Sequence, residues 1–358
     1  MTLNSPRFAE LLASLAARTG DLERDSAWPA DQLKLLGDAG VLGWLIPPEF
    51  GGSGQSAAYV TEGYYALSQS CLLTAFVLTQ RNAAVQRIVV SDNEPARERW
   101  LPSLCTSEIF ATVGISHLTT SRQHLGKPSV EVSPRDGGFE LNGFVPWTTG
   151  AAFADAILTG GTLDDGTQIL AMVETTAAGV EVKPPAKLLA LNASHTGAVE
   201  LKHVFVAADN IIAGPVSAVM KQGKNTGTGS LTTSALALGA AACSLNHIRT
   251  EASRRPDLVS IHDQLASEHE TILGDMRRSM STDADTSDAS LSAESIRQRA
   301  NSFVLRCSQA YLGASKGAGF AKGHPAERAV REAMFFLVWS CTQPVLNANL
   351  RELACVID

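Results

Sequence analysis

Apolar residues recur at helical spacing through the first third of the chain. Phe8, Leu11, Leu12 and Leu15 share one helical face, and Pro29 followed by Leu33, Leu35 and Leu36 predicts a second helix from about Ala30. Residues 57–89 and 94–105 read as further apolar-striped helices. Residues 40–54, GVLGWLIPPEFGGSG, interrupt the pattern, because their glycines and the Pro47-Pro48 pair demand an irregular turn between helices. At Ala111 the period becomes alternating. Short runs at 130–132, 139–141, 156–158, 169–173, 180–182 and 199–206, separated by turns such as Asp164-Asp165-Gly166, predict a compact β-domain. From Leu231 the pattern is helical again, and the small polar residues of 279–295 predict an exposed interhelical loop with an N-cap for a helix from about Ala293. The expected organisation is α+β, with a helical domain over 1–110, a β-domain over 111–215 and a helical bundle over 216–358.

One stretch of the β-region stands out, residues 136–155, DGGFELNGFVPWTTGAAFAD. Phe139 and Leu141 alternate with Glu140 and Asn142, and Asn142-Gly143 supplies the positive-φ pair that a two-residue hairpin turn needs. The second arm then carries Trp147, Thr148 and Thr149, a large π-face beside two hydroxyls where strand gives way to loop. Such a pair suits a core tryptophan at a sheet edge, or the wall of a site for a flat heterocycle.

Asn142-Gly143, Trp147-x-Thr149 and Ala154-Asp155 resemble the middle domain of the acyl-CoA dehydrogenase family. In that family the matching tryptophan and threonine flank the FAD isoalloxazine. Two further segments are similar to the family. Residues 40–54 resemble its N-terminal helical domain, where a helix ends in glycine before Ile-Pro and a Gly-Gly-x-Gly loop. In residues 317–333, GAGFAKGHPAERAVREA, Gly319-Phe320, Pro325, Glu327-Arg328 and Arg331-Glu332-Ala333 keep the order that leads to the family's catalytic glutamate. Pro325 suits a helix start, and Glu327 with Arg331 forms an i,i+4 pair. The resemblance covers nearly the whole chain and implies an N-terminal helical domain, a middle β-barrel-like domain and a C-terminal helical bundle. It also implies FAD as cofactor, an acyl thioester substrate, an electron-transfer partner and a homodimer or homotetramer.

Residue by residue, the resemblance assigns cofactor contacts to Ser116, Ser121, Trp147, Thr149, Arg254 and Thr342. Several departures accompany it. His117, Leu118, Thr119, Thr120 and Ser121 replace the acidic and glycine residues of the family's flavin-binding turn, and His117 reads as a turn or surface histidine. Arg254-Arg255-Pro256 lacks the Phe-Gly that follows the family's cross-subunit arginine, Gly313 replaces its diphosphate-binding glutamine, and Lys316-Gly317 replaces its glycine pair. The base is also missing. The two positions that carry it in the family fall on Ser340 and Thr232, and a neutral hydroxyl cannot accept the α-proton of a thioester at pH 7. Cys341 has no basic neighbour in sequence and reads as an inert thiol. Three functions follow as expectations: a thioester dehydrogenase with its base elsewhere, a flavin monooxygenase of the same fold, or a non-catalytic relative.

Composition narrows the field. The chain has 358 residues, a net charge of -7 and six scattered cysteines without a CxxC pair, so neither a polyanion-binding surface, a disulfide framework nor a metal site is expected. The longest apolar run, 235–243, is too short to span a bilayer, and with no signal-like layout in MTLNSPRFAELL the cytoplasm is the expected location. Asn192-Ala193-Ser194 therefore reads as an incidental sequon. Residues 223–229, GKNTGTG, precede a helix and could hold an anion. They lack the ending of a P-loop, and Gly317-x-Gly319 lacks dinucleotide-fingerprint spacing, which excludes ATPase and Rossmann readings.

Overall fold

The structure, a computed structural model, describes residues 2–119, 121, 126–222, 231–281 and 287–356. The N-terminal part contains α1 (Pro6–Asp25), α2 (Ala30–Asp38), α3 (Ala57–Ser70), α4 (Leu72–Val89) and α5 (Glu94–Thr106). Ser5 caps α1 and Ser56 caps α3, each side chain accepting the amide hydrogen three residues on. The long apolar stripe of 57–89 is two helices rather than one. Cys71 takes extended angles, φ -157° and ψ 102°, between α3 and α4. The 40–54 turn is closed by backbone bonds such as Gln55 N to Trp44 O at 2.6 Å. Gly52 is required there, because a Cβ would meet the Ile46 carbonyl oxygen at 1.9 Å.

Then follow β1 (Ala111–Val113), the short α6 (Ser116–Thr119), β2 (Val130–Arg135), β3 (Gly138–Thr148), β4 (Ala156–Thr162), β5 (Gln168–Glu174), β6 (Val180–Val182), β7 (Gly197–Ala207) and β8 (Ile211–Val216). They form one mixed sheet, β6-β7-β3-β2-β4-β5-β8, with β1 added parallel to β4. β4 is covered on both faces. Ala156 and Leu158 join Ala84, Val85, Ile88 and Trp100 in one core, while Ile157 joins Val132, Leu141 and Val199 in another.

The hairpin lies earlier than the sequence predicts. Arg135 pairs with Gly138 around Asp136-Gly137, where Gly137 adopts φ +73°. Asn142-Gly143 instead lies inside β3, where the register with β7 shifts between Leu141 and Gly143. Gly143 is needed there because the neighbouring chain is so near: a Cβ would meet the Ser129 carbonyl oxygen at 2.2 Å.

The C-terminal part contains α7 (Leu231–Ala252), α8 (Val259–Ser279), α9 (Ala293–Ala314), α10 (Lys316–Gly319), α11 (Pro325–Met334) and α12 (Gln343–Leu353). As expected, Ser292 caps α9, its side chain accepting from Ser295 N. α7 packs on α3 through Gly239, where a Cβ would meet the Tyr65 carbonyl oxygen at 2.4 Å, so helices from the two ends of the chain share one core. Among the described residues no helix is long and apolar enough to cross a membrane. The glycine-rich 223–229 reading lies outside the described residues, as do Thr120 and residues 282–286 of the polar 279–295 stretch.

Candidate functional site

A cavity of about 700 Å³ lies between α4, α7, α11 and the sheet, a volume suited to a cofactor or a drug-sized ligand. α4 forms its long wall. Phe76, Thr79, Gln80, Ala83, Gln86 and Arg87 line it at three- and four-residue spacing, one face of the helix. From Phe76 to Arg87 the wall rises three turns, about 16 Å. At the Phe76 end the lining is aromatic: Phe335 and Trp339 stack at 5.0 Å and 12°, and Phe76 meets them edge-on at 4.8 and 5.1 Å.

The sheet supplies the next wall. Trp147, at the end of β3, leaves 49% of its surface exposed and lines the cavity with Thr149 and Thr196, whose hydroxyls are 2.9 Å apart. The turn after them is held from the far side. Gly150 adopts φ +65° against Trp28, where any Cβ would meet the indole at 2.3 Å, and Trp28 stacks on Phe153 at 4.8 Å and 6°. The loop before α2 therefore fixes where β3 delivers Trp147 and Thr149. Opposite, residues 188–191 form a lip: Asn192 closes the loop by bonding Leu188 N and O at 2.8 and 2.9 Å, and the Leu189 carbonyl accepts from Arg331 Nη1 at 3.0 Å.

Six of the residues named from sequence meet on this cavity: Ser116, Ser121, Trp147, Thr149, Thr232 and Ser340. Ser116 Oγ is buried without a hydrogen-bond partner among the described residues. Ser340 lines the wall with φ +52°, a left-handed conformation uncommon for serine. Thr342 and Arg254 are not on the wall. Thr342 opens α12, its carbonyl accepting from Leu346 N at 2.9 Å, and Arg254 is exposed beyond the end of α7. His117 is not a surface residue as the sequence suggests; it is 5% exposed, its Nε2 lies 2.9 Å from the Gly160 carbonyl oxygen, and burial lowers its pKa. Cys341 does have a cationic neighbour in space, the buried Arg297, whose Nη2 donates to the Trp339 carbonyl at 2.9 Å. The thiol itself is directed to the Phe336 and Trp339 carbonyls at 3.4 and 3.6 Å.

The charges on the wall are Arg87 and Arg331, and no Asp or Glu lines it among the described residues. Burial lowers Arg87 to about 10. Arg331 is raised by its bonds to Glu327 and Glu23. Glu332, next along α11, faces two small cavities of about 30 and 10 Å³ instead. Burial raises its carboxyl to about 7, against the pull of Arg328, whose Nε is 3.8 Å away.

An exposed indole face, paired hydroxyls and an orphaned serine hydroxyl on one cavity fit a flavin, which offers a flat ring and many hydrogen-bonding atoms. Two helical lobes flank a mixed sheet, with this cavity at their junction. The sequence model of the acyl-CoA dehydrogenase N-terminal domain matches residues 7–108. A probable acyl-CoA dehydrogenase of Bacillus subtilis (strain 168) is 27% identical over 189 residues, covering 50% of this chain and 30% of that protein's own length. Butyryl-CoA dehydrogenase from Megasphaera elsdenii superposes with TM-score 0.80 at 16% identity, over 96% of this chain and 97% of that one. Dibenzothiophene monooxygenase (TdsC) from Paenibacillus sp. A11-2 superposes with TM-score 0.78 at 18% identity, over 96% and 94%. The N-terminal part of the chain thus matches the acyl-CoA dehydrogenase N-terminal domain, and the whole chain shares the fold of solved acyl-CoA dehydrogenases.

Proposed function

We propose that this protein is a flavin-dependent oxidoreductase that works without a carboxylate base, the chemistry of a monooxygenase rather than of a thioester dehydrogenase. One observation carries the choice. By the sequence resemblance Ser340 and Thr232 fall where the family keeps its base; both line the cavity, and no Asp or Glu does so among the described residues. Losing a positioned base typically removes about 10² to 10⁴ in rate, so α-proton abstraction would be badly served here. TdsC, a monooxygenase of similar fold, is FMN-bound in one structure, which supports the reading by analogy only. We also take 1–110, 111–215 and 216–358 as its domains.

When bound, the flavin would supply two-electron transfer. Trp147 would give the ring a π-face, while Thr149 and Ser116 would offer hydroxyls to its polar edge. The aromatic cluster of Phe76, Phe335 and Trp339 would exclude water from an apolar substrate. That same cluster suits an acyl chain, so FAD-dependent oxidation of an acyl thioester is the second reading.

Anaerobic mixing of the holoprotein with acyl-CoA thioesters of varied chain length is expected to leave the flavin oxidised. Mixing the reduced holoprotein with oxygen should consume oxygen before the oxidised flavin absorbance returns. Anaerobic bleaching by any thioester would overturn the proposal in favour of the dehydrogenase. Protein that takes up neither FMN nor FAD would sink both readings. Trp147→Ala is expected to weaken flavin binding about tenfold, since an aromatic contact contributes about 0.5–1.5 kcal/mol beyond its buried area. Equal flavin titrations for wild type and variant would remove Trp147 from the site.

A further inference from the structure

We infer that Tyr64 is a hydrogen-bond donor to the molecule bound in the cavity, and that Arg81 and Asn82 behind it fix the direction in which it donates. The inference rests on the flavoprotein reading where the acceptor is the flavin, and stands without it where the acceptor is the substrate. Tyr64 lies on α3 and lines the cavity, with 3% of its surface exposed. Asn82 and Arg81 lie on α4, are 2% and 1% exposed, and are not among the lining residues. Arg81 Nη1 donates to Asn82 Oδ1 at 2.8 Å, and Asn82 Nδ2 donates to Tyr64 Oη at 2.8 Å. Arg81 Nη2 is anchored on the Leu104 carbonyl of α5 at 2.5 Å.

The order of donors follows from what each group can do. A guanidinium has no acceptor, so the Asn82 atom that meets it must be the carbonyl oxygen; the amide nitrogen is then left to face the phenol, and it can only donate. Tyr64 therefore accepts from Asn82 and still has its own proton to place. Among the described residues no acceptor meets that proton. Burial keeps it on the oxygen, raising the phenol to about 12 against the opposing pull of Asn82 and Arg81. A buried donor left without an acceptor is costly, and a bound molecule that brings a carbonyl oxygen or an unprotonated ring nitrogen removes the cost, whereas a hydrocarbon does not. Arg81 strengthens the donor. No carboxylate pairs with it among the described residues, and its charge stands two hydrogen bonds behind the phenol, so the chain is polarised in one direction. The acceptor belongs either to the edge of the flavin ring or to a carbonyl of the substrate.

Two variants break the relay in different ways. Tyr64→Phe deletes the hydroxyl. Asn82→Asp keeps it but replaces the amide donor by a carboxylate, which accepts from both Arg81 and Tyr64 and so turns the phenol proton away from the cavity. The second variant should fold, because the buried Arg81 gains a counter-charge. Two arms name the acceptor. In one, FMN and FAD are titrated into flavin-free protein; in the other, acetophenone and ethylbenzene, alike except for the carbonyl, are titrated calorimetrically into the protein as purified. The arm that holds the acceptor should respond to both variants. The response is about fivefold weaker flavin binding with a shifted visible absorption, or about a fivefold loss of the preference for the ketone, as removal of one hydrogen bond should give. In the ketone arm the carbonyl infrared band of bound acetophenone should also lie lower in wild type than in either variant, whereas loosened packing would weaken ketone and hydrocarbon alike. No response in either arm, or a response to Tyr64→Phe that Asn82→Asp does not share, would overturn the donor. Wild type that binds neither flavin while the ketone arm responds would reject the flavoprotein reading and keep Tyr64.

Discussion

Arg331→Met is expected to lower the free energy of unfolding at pH 8 by about 3 kcal/mol, within the range for breaking one side of a mostly buried ion pair. Urea denaturation of both proteins measures it. Arg331 Nε donates to Glu327 Oε1 at 2.6 Å, Nη2 to Glu23 Oε1 at 2.6 Å and to Glu327 Oε2 at 3.0 Å, and Nη1 to the Leu189 carbonyl at 3.0 Å. One guanidinium therefore joins α11, α1 and the lip of the cavity. Without it two carboxylates remain side by side, each about one-fifth exposed, and the Leu189 carbonyl loses its donor. The effect has a predicted sign in pH. Bonding to Arg331 depresses the Glu327 pKa, so that contribution is present above the ordinary carboxylate range and is lost as pH falls through the depressed value. The difference between wild type and variant should shrink in acid. A difference that stays the same from pH 8 to pH 4 would rule out this origin.

Glu332→Gln is expected to do the opposite, raising stability by roughly 2 kcal/mol at pH 8 after allowance for residual exposure of the side chain. Burial, only partly offset by Arg328, raises the carboxyl to about 7 from an ordinary value of 4.5. A group raised in the folded state contributes its stability below the unfolded pKa and loses it as pH climbs through the folded one. Wild type should therefore lose stability between pH 4.5 and 7, and the glutamine variant should escape that loss. Thermal melts across this window check it; a variant no more stable than wild type at pH 8 would show that Glu332 is ionised in the fold without penalty.

The sequence made the order of helical, sheet and helical parts legible because each element carries its own period. Phe8, Leu11 and Leu15, the stripe that predicts the first helix, are all buried on α1, and 169–173 falls inside β5. What it misjudged was punctuation. Two glycine pairs, Asp136-Gly137 and Asn142-Gly143, carry the same turn signal, and only the approach of Ser129 to Gly143 shows which one bends the chain. The α3–α4 boundary at Cys71 has neither glycine nor proline to mark it.

The candidate site was half legible. Trp147, Thr149, Ser116, Ser121, Thr232 and Ser340 come from four separate stretches, and only resemblance to a family related them before the fold did. Arg87 and Gln86 were overlooked within a helix read simply as apolar, although Phe76, Thr79, Gln80, Ala83, Gln86 and Arg87 fall on one face at helical spacing. His117 carried no sequence signal of burial, because the Gly160 carbonyl that meets its ring comes from β4, 43 residues further along the chain. The Glu23 partner of Arg331 lies 308 positions away, beyond any local pattern.

α4 is enclosed on most sides by α3, α5, α7 and β1, whereas at the 188–191 lip Ala190 and Leu191 are buried in the core and only Leu188 and Leu189 stand clear of it, held through Asn192 and Arg331. Deuterium uptake should therefore be slow along the helix whether or not a ligand is present, and fast at the outer part of the lip until one arrives. Entry and exit of small molecules would then be timed by the lip, leaving the helix as the fixed ruler against which their length is measured.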